Sequence, residues 1–168
     1  SDVCSSDLAW RSEWDFTMPT GKVQPANLPA VFASTGSAAY AMRLQTLAAP
    51  SATGFLKGSI DCLCEHEGKY YVLDWKSNVL GATDSDYTLE TMQAAMDESH
   101  YTLQYHIYLL ALHRQLEAHL PDYDYDRHVG GACFVFLRGI YHTTRGVFLD
   151  VPPKKRMEDL DRWVDGTL

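Results

Sequence analysis

One stretch constrains the fold of this chain more than any other. From Gly58 to Lys76 it runs GSIDCLCEHEGKYYVLDWK, two apolar runs on either side of Glu67-Gly68. Ile60, Leu63, Tyr70, Tyr71, Val72, Leu73 and Trp75 suit a pleated, half-buried surface, and an Xaa-Gly pair between two such runs is turn chemistry. A β-hairpin is the expected structure. With Glu67-Gly68 as the turn, His66 faces Lys69. Stepping back one residue at a time along both strands then sets Asp61 directly across from Asp74. A four-residue loop over the same centre gives the same pairing. Strand side chains alternate between faces, so Lys76 projects beside Asp74.

Two carboxylates facing each other across a sheet repel, and crowding them is costlier unless positive charge lies between. An all-oxygen donor pair favours a hard divalent cation, Mg²⁺ with Mn²⁺ as a substitute. Lys76 beside such an ion can hold an attacking water or stabilise charge developing on a phosphate. Together these residues form a set suited to hydrolysing phosphodiesters. A DxK triplet alone arises by chance in many strands, and an exposed, solvated hairpin face is the plain alternative. Against it, both strands are apolar around these residues, and Leu73 and Trp75 require a core on the opposite face.

Other features bound the function. The length of 168 residues fits one domain, and the apolar fraction of 46% fits a packed core. No stretch approaches the roughly 18 apolar residues of a membrane helix, and the start lacks a secretory pattern. Cys4, Cys62, Cys64 and Cys133 form no CxxC pair and no zinc spacing, which favours reduced thiols and a cytoplasmic setting. Cys62 and Cys64, two apart in a strand, read as small buried hydrophobes. The net charge of −8 argues against an independent DNA-binding module, so most DNA affinity is expected to lie outside this segment. Residues 1–8 (SDVCSSDL) resemble a translated sequencing adapter and are expected to be a non-native leader, with the domain covering 9–168 and the whole a fragment.

Elsewhere, residues 9–35 look loop-like because Pro19, Gly21, Pro25 and Pro29 are scattered through them. Helical spacing runs from Ser37 to about Leu47, with Ala38, Met42 and Leu47 apolar, and ends by Pro50 and Gly54. Residues 77–86 form a polar loop. Thr88 opens a helical pattern that reaches His119 with a break near Ser99, and Pro121 stops it. Strands are expected at 132–137 and 146–151, then a helix after Pro152-Pro153 with Met157, Leu160, Trp163 and Val164 on one side. Gln104 and Tyr108 share a helix face, and spacing alone makes them a polar edge. His100, His106, His113 and His119 read as solvated or interfacial surface. Lys154-Lys155-Arg156 reads as a solvated basic run, and 122–126 (DYDYD) as a connecting loop.

Residues 54–81 (GFLKGSIDCLCEHEGKYYVLDWKSNVLG) and 101–140 (beginning YTLQYHIYLLALHRQ) closely resemble RecB-type nuclease domains, a family within the PD-(D/E)xK nucleases. The resemblance is strong over roughly 54–141 and plausible in the flanks. It implies an α/β restriction-endonuclease-like core, a mixed sheet flanked by helices. It implies that Asp61 and Asp74 are the acidic metal ligands, that Lys76 is the motif lysine, and that the main-chain carbonyl of Trp75 is a further ligand. Gln104 and Tyr108 match the QxxxY element, which moves them from polar edge to site. By the same resemblance the activity is that of a Mg²⁺-dependent exodeoxyribonuclease in a bacterial helicase–nuclease for double-strand-break repair and recombination. Its partners are DNA strands fed from a motor and RecC-like and RecD-like subunits. Members of the family also use a histidine from a helix well upstream of the first Asp. No histidine precedes Asp61 here, so the chain is expected to lack that helix. A catalytically silent nuclease fold used for docking or DNA binding stays open as an alternative, as does a site-specific endonuclease.

Overall fold

The computed structural model describes residues 8–47, 51–140 and 145–168. The adapter-like leader up to Asp7, Cys4 and Pro50 lie outside the described residues. In chain order the elements are β1 (Leu8–Val23), α1 (Leu28–Ala33), α2 (Ala38–Leu44), β2 (Ala52–His66), β3 (Lys69–Lys76), α3 (Leu89–Glu98), α4 (Tyr101–His119), α5 (Tyr125–His128), β4 (Val129–Phe136), β5 (Val147–Asp150) and α6 (Lys154–Val164). The strands form one sheet in the order β1-β2-β3-β4-β5. β2 and β3 are antiparallel, β3 and β4 parallel, and β4 and β5 antiparallel. This is the mixed sheet flanked by helices that the resemblance implies.

The hairpin register matches expectation, from Cys62↔Leu73 to His66↔Lys69. Its turn has φ 51° at Glu67 and φ 75° at Gly68. Two successive positive φ values belong to the type I′ turn that matches the twist of a two-residue hairpin.

The chain divides into two compact units. One contains residues up to Asp15 and Ser59–Val151, the other Phe16–Gly58 and Pro152–Leu168. In the first, α4 packs on β3 and β4. Its Tyr105 ring meets Phe134 at 5.8 Å and Phe148 at 6.1 Å, while Leu109, Leu110 and Leu112 are buried. Thr88 caps α3 by accepting from the Thr91 N–H, and the predicted break near Ser99 is made by His100 at φ 55°. The core lies on the face of β3 carrying Val72, Asp74 and Lys76, all buried. The opposite face does not form the expected second core. Trp75 is 48% exposed, and Leu73, Cys62, Cys64 and Cys133 are half-buried. Burial nonetheless raises the pKa of these three thiols, which keeps them protonated at neutral pH.

In the second unit Arg156 is buried. Its guanidinium donates to Thr35 Oγ1 at 2.7 Å, to the Thr35 carbonyl at 2.8 Å and to Ser37 Oγ at 2.7 Å. It is therefore a clamp between α6 and the α1–α2 connection, which corrects its reading as part of a solvated run. α2 also turns a different face inward: Tyr40, Ala41 and Leu44 are buried while Met42 is 69% exposed.

The largest correction concerns residues 9–35, which are not loop. β1 fills most of that span, followed by a single 3₁₀ turn (Pro25–Asn27) and α1. Pro19 is tolerated because β1 is an edge strand with no ladder to serve on its outer side. Gly21 lies so close to the Asp165 carbonyl that a Cβ there would stand 1.9 Å from its oxygen. Both breakers thus have positional reasons within a strand. Two smaller corrections follow. His106 is fully buried, with Nδ1 donating to the Thr102 carbonyl at 2.6 Å. The 122–126 stretch is not all loop, since Asp124 caps α5 by accepting from the Arg127 N–H.

Candidate active site

Four of the expected residues meet in one chain of contacts inside the first unit. β3 brings Asp74 and Lys76 side by side, with Nζ 2.6 Å from Asp74 Oδ1. The same ammonium donates to Gln104 Oε1 at 3.0 Å. Gln104 Nε2 in turn donates to the Tyr108 hydroxyl at 2.8 Å. One helical turn separates Gln104 from Tyr108, so α4 lays both along the end of β3. This arrangement fixes the amide of Gln104: its oxygen must face the lysine, and its nitrogen the phenol.

Asp61 joins differently. Continuing the hairpin register by one residue sets it opposite Asp74, and its Oδ2 accepts the Trp75 N–H at 3.0 Å. The side chain thereby satisfies a main-chain donor of β3. Trp75 supplies that N–H while its indole stands on the other face. Two aromatic residues absent from the sequence-based set border the lysine: Nζ lies 3.8 Å from the Tyr101 ring centroid and 4.8 Å from that of Phe134.

The electrostatics are strained toward neutrality. Asp74 and Lys76 are only 5% and 8% exposed. Burial pushes the Asp74 carboxyl above the ordinary carboxylate range, Lys76 pulls it back, and the charge of Asp61 pushes it up again. The Tyr108 phenol is also raised, first by burial and then by the Asp74 charge, so it remains a neutral hydroxyl at neutral pH. Negative charge here is only partly compensated by the one lysine.

That imbalance suits a cation. Asp61 uses Oδ2 for Trp75 and Asp74 uses Oδ1 for Lys76, which leaves one oxygen on each for an ion. No group of three or more His, Cys, Asp or Glu occurs among the described residues that could hold a metal. A hard ion that keeps several waters fits such a sparse oxygen set better than one needing a full protein cage.

The PD-(D/E)XK nuclease superfamily profile matches residues 8–167. The chain belongs to the PD-(D/E)XK nuclease superfamily. Similar proteins include the RecBCD enzyme subunit RecB of Escherichia coli K12, 50% identical over 101 residues, which are 59% of this chain and 9% of that protein. The subunit RecB of Haemophilus influenzae is 48% identical over 109 residues, 64% of this chain and 9% of its own length. That of Mycolicibacterium smegmatis is 34% identical over 143 residues, 76% of this chain and 13% of its own. The chain thus spans about a tenth of the length of the curated relatives it matches. It is a RecB-like nuclease domain. No helix among the described residues is long and apolar enough to cross a membrane.

Proposed function

We propose that this PD-(D/E)XK domain is the Mg²⁺-dependent DNA-cleaving part of a bacterial helicase–nuclease of the exodeoxyribonuclease V type. It cuts phosphodiester bonds in strands delivered by a motor during double-strand-break repair and recombination, alongside RecC-like and RecD-like subunits in the cytoplasm. The observation that carries this reading is the continuous Asp74–Lys76–Gln104–Tyr108 contact chain with Asp61 across the hairpin, a built site inside a nuclease fold.

Asp61 and Asp74 would hold the cation, with the Trp75 main-chain carbonyl as a further ligand. A divalent cation bound there supplies an acidified water and offsets phosphate charge. Lys76 orients the attacking water and stabilises negative charge growing on the phosphate oxygen. Gln104 keeps the lysine from swinging away, and Tyr108 keeps the amide of Gln104 from flipping. Lys76 stays paired with Asp74 Oδ1, and the other oxygen of that carboxylate would face the cation.

The test is cleavage of single-stranded DNA by purified full-length protein, with Mg²⁺ and with chelator. Asp74→Asn is expected to lower kcat by about 10²–10³-fold, the scale of losing one preorganised electrostatic group. Cleavage at the parental rate would overturn the assignment. A second reading, a silent fold used for docking or DNA binding, draws on the sparse ligand set. It predicts no Mn²⁺ binding by calorimetry and no loss of function in Asp74→Asn.

A further inference from the structure

The stripe facing Lys76 is longer than Gln104 and Tyr108. Tyr101, Gln104 and Tyr108 stand at i, i+3 and i+7 on α4, the spacing of one helix face. Tyr101 is the first residue of that helix, placed there by the left-handed turn at His100. Its ring lies under the ammonium at 3.8 Å, and its hydroxyl donates to Asn78 Oδ1 at 3.4 Å, two residues beyond Lys76. The ring also tilts against Phe134, centroids 6.4 Å apart.

We propose that Tyr101 is a positioning residue for the reaction: its ring face, with Asp74 and Gln104, forms a three-sided seat that holds the Lys76 ammonium at the carboxylates. This rests on the active-site reading above.

The chemistry explains why an aromatic ring is used. An ammonium carries three donors on a flexible four-carbon stem. Asp74 and Gln104 engage two of them. A third oxygen acceptor would satisfy the last donor and leave nothing for water or phosphate. An aromatic face attracts the cation through its quadrupole, so it restrains the lysine without consuming a lone-pair partner. The low exposure of Lys76 strengthens that attraction, since little water competes. A tyrosine that merely filled space would serve equally well as leucine. A ring under a cation would not.

Two measurements test this. In the isotopically labelled chain, the Lys76 ε-methylene protons should resonate upfield of the other lysines through the ring current, with the signal assigned by its absence in Lys76→Arg. The displacement should persist in Tyr101→Phe and shrink in Tyr101→Leu to what the more distant Phe134 ring produces. In the full-length protein, Tyr101→Leu should lower kcat for single-stranded DNA by roughly three- to thirty-fold with KM nearly unchanged, the scale of a desolvated cation–π contact. Tyr101→Phe should restore most of kcat. Lys76 protons at the ordinary position in the parental chain would overturn the proposal, whether or not the leucine variant folds. So would equal kcat losses in the leucine and phenylalanine variants, or none in either, while Asp74→Asn is inactive. Parental cleavage by Asp74→Asn would overturn the active-site reading itself.

Discussion

Replacing Asp74 and Lys76 together should destabilise the protein less than the two single changes predict. The pair is nearly dry, and burial together with the Asp61 charge outweighs Lys76 in setting the Asp74 pKa above its ordinary range. The fold therefore disfavours the ionised carboxylate even with its partner in place, which marks the pair as a cost to stability. Asp74→Val strands a buried ammonium with Gln104 and the Tyr101 and Phe134 rings, for a loss of about 3 kcal/mol, the low end for a broken buried pair. Lys76→Met strands Asp74 beside Asp61, but the carboxyl can take up a proton, which limits the loss to about 2 kcal/mol. The double variant leaves no unpaired charge and fills the space with carbon. It should lose about 2 kcal/mol or less, a coupling of about 3 kcal/mol. Urea unfolding at neutral pH with chelator present, followed by circular dichroism, gives all three values. If the double variant loses the sum of the singles, the carboxylate and ammonium are not coupled as described. By the same energetics Asp74→Ala would also destabilise the fold, and Asp74→Asn, which keeps an acceptor for Lys76, is the cleaner probe of chemistry.

Four further outcomes follow from the geometry. The raised Asp74 pKa means the folded chain holds that proton more tightly than the unfolded one, so this group's contribution is full below the ordinary carboxylate pKa and is lost as pH rises through the raised value. Metal-free protein should show that loss in thermal melts, and Mn²⁺ should abolish it. By the same sign, Mn²⁺ affinity measured by calorimetry should begin to fall on acidification at a pH where an ordinary Asp is still ionised. Glu67→Asn should raise the unfolding free energy by about 0.5–1 kcal/mol, read as a higher urea midpoint, because Glu67 holds a positive φ that asparagine adopts more readily. Arg156→Ala should cost about 2–4 kcal/mol, since it removes three hydrogen bonds from a buried charge, and Arg156→Lys should recover only part of that.

The hairpin was legible because local chemistry decides it: a turn pair, period-two strands, and a register that follows from the turn alone. The adjacency of Gln104 and Tyr108 to Lys76 was not, because spacing shows that two residues share a helix face and says nothing about what the face meets. Only the resemblance pointed there. Tyr101 escaped for the same reason, although its place in the i, i+3, i+7 stripe was readable. β1 was missed because Pro19 and Gly21 outweighed the alternation of Trp14, Phe16 and Met18, the last two buried, with Thr17 exposed between them and Pro19 exposed after them. Proline and glycine interrupt strands in general, but an edge position and a close backbone neighbour remove the objection, and both are tertiary facts. His106 and Arg156 show the same limit, since a polar side chain can be buried once distant partners satisfy it.

The parallel pairing of β3 with β4 has a consequence for how the site comes into being. The hairpin closes over two residues, but Asp74 finds its β4 neighbour Phe134 sixty residues further along the chain. Hairpins of this kind form in roughly microseconds, whereas contacts between distant segments must first overcome the entropy of closing the loop. During synthesis the two aspartates are therefore made early and stay hydrated, with no ring beneath the lysine and no desolvated carboxylate. Only when α4 and β4 dock does the pair become the charged, water-poor centre described here.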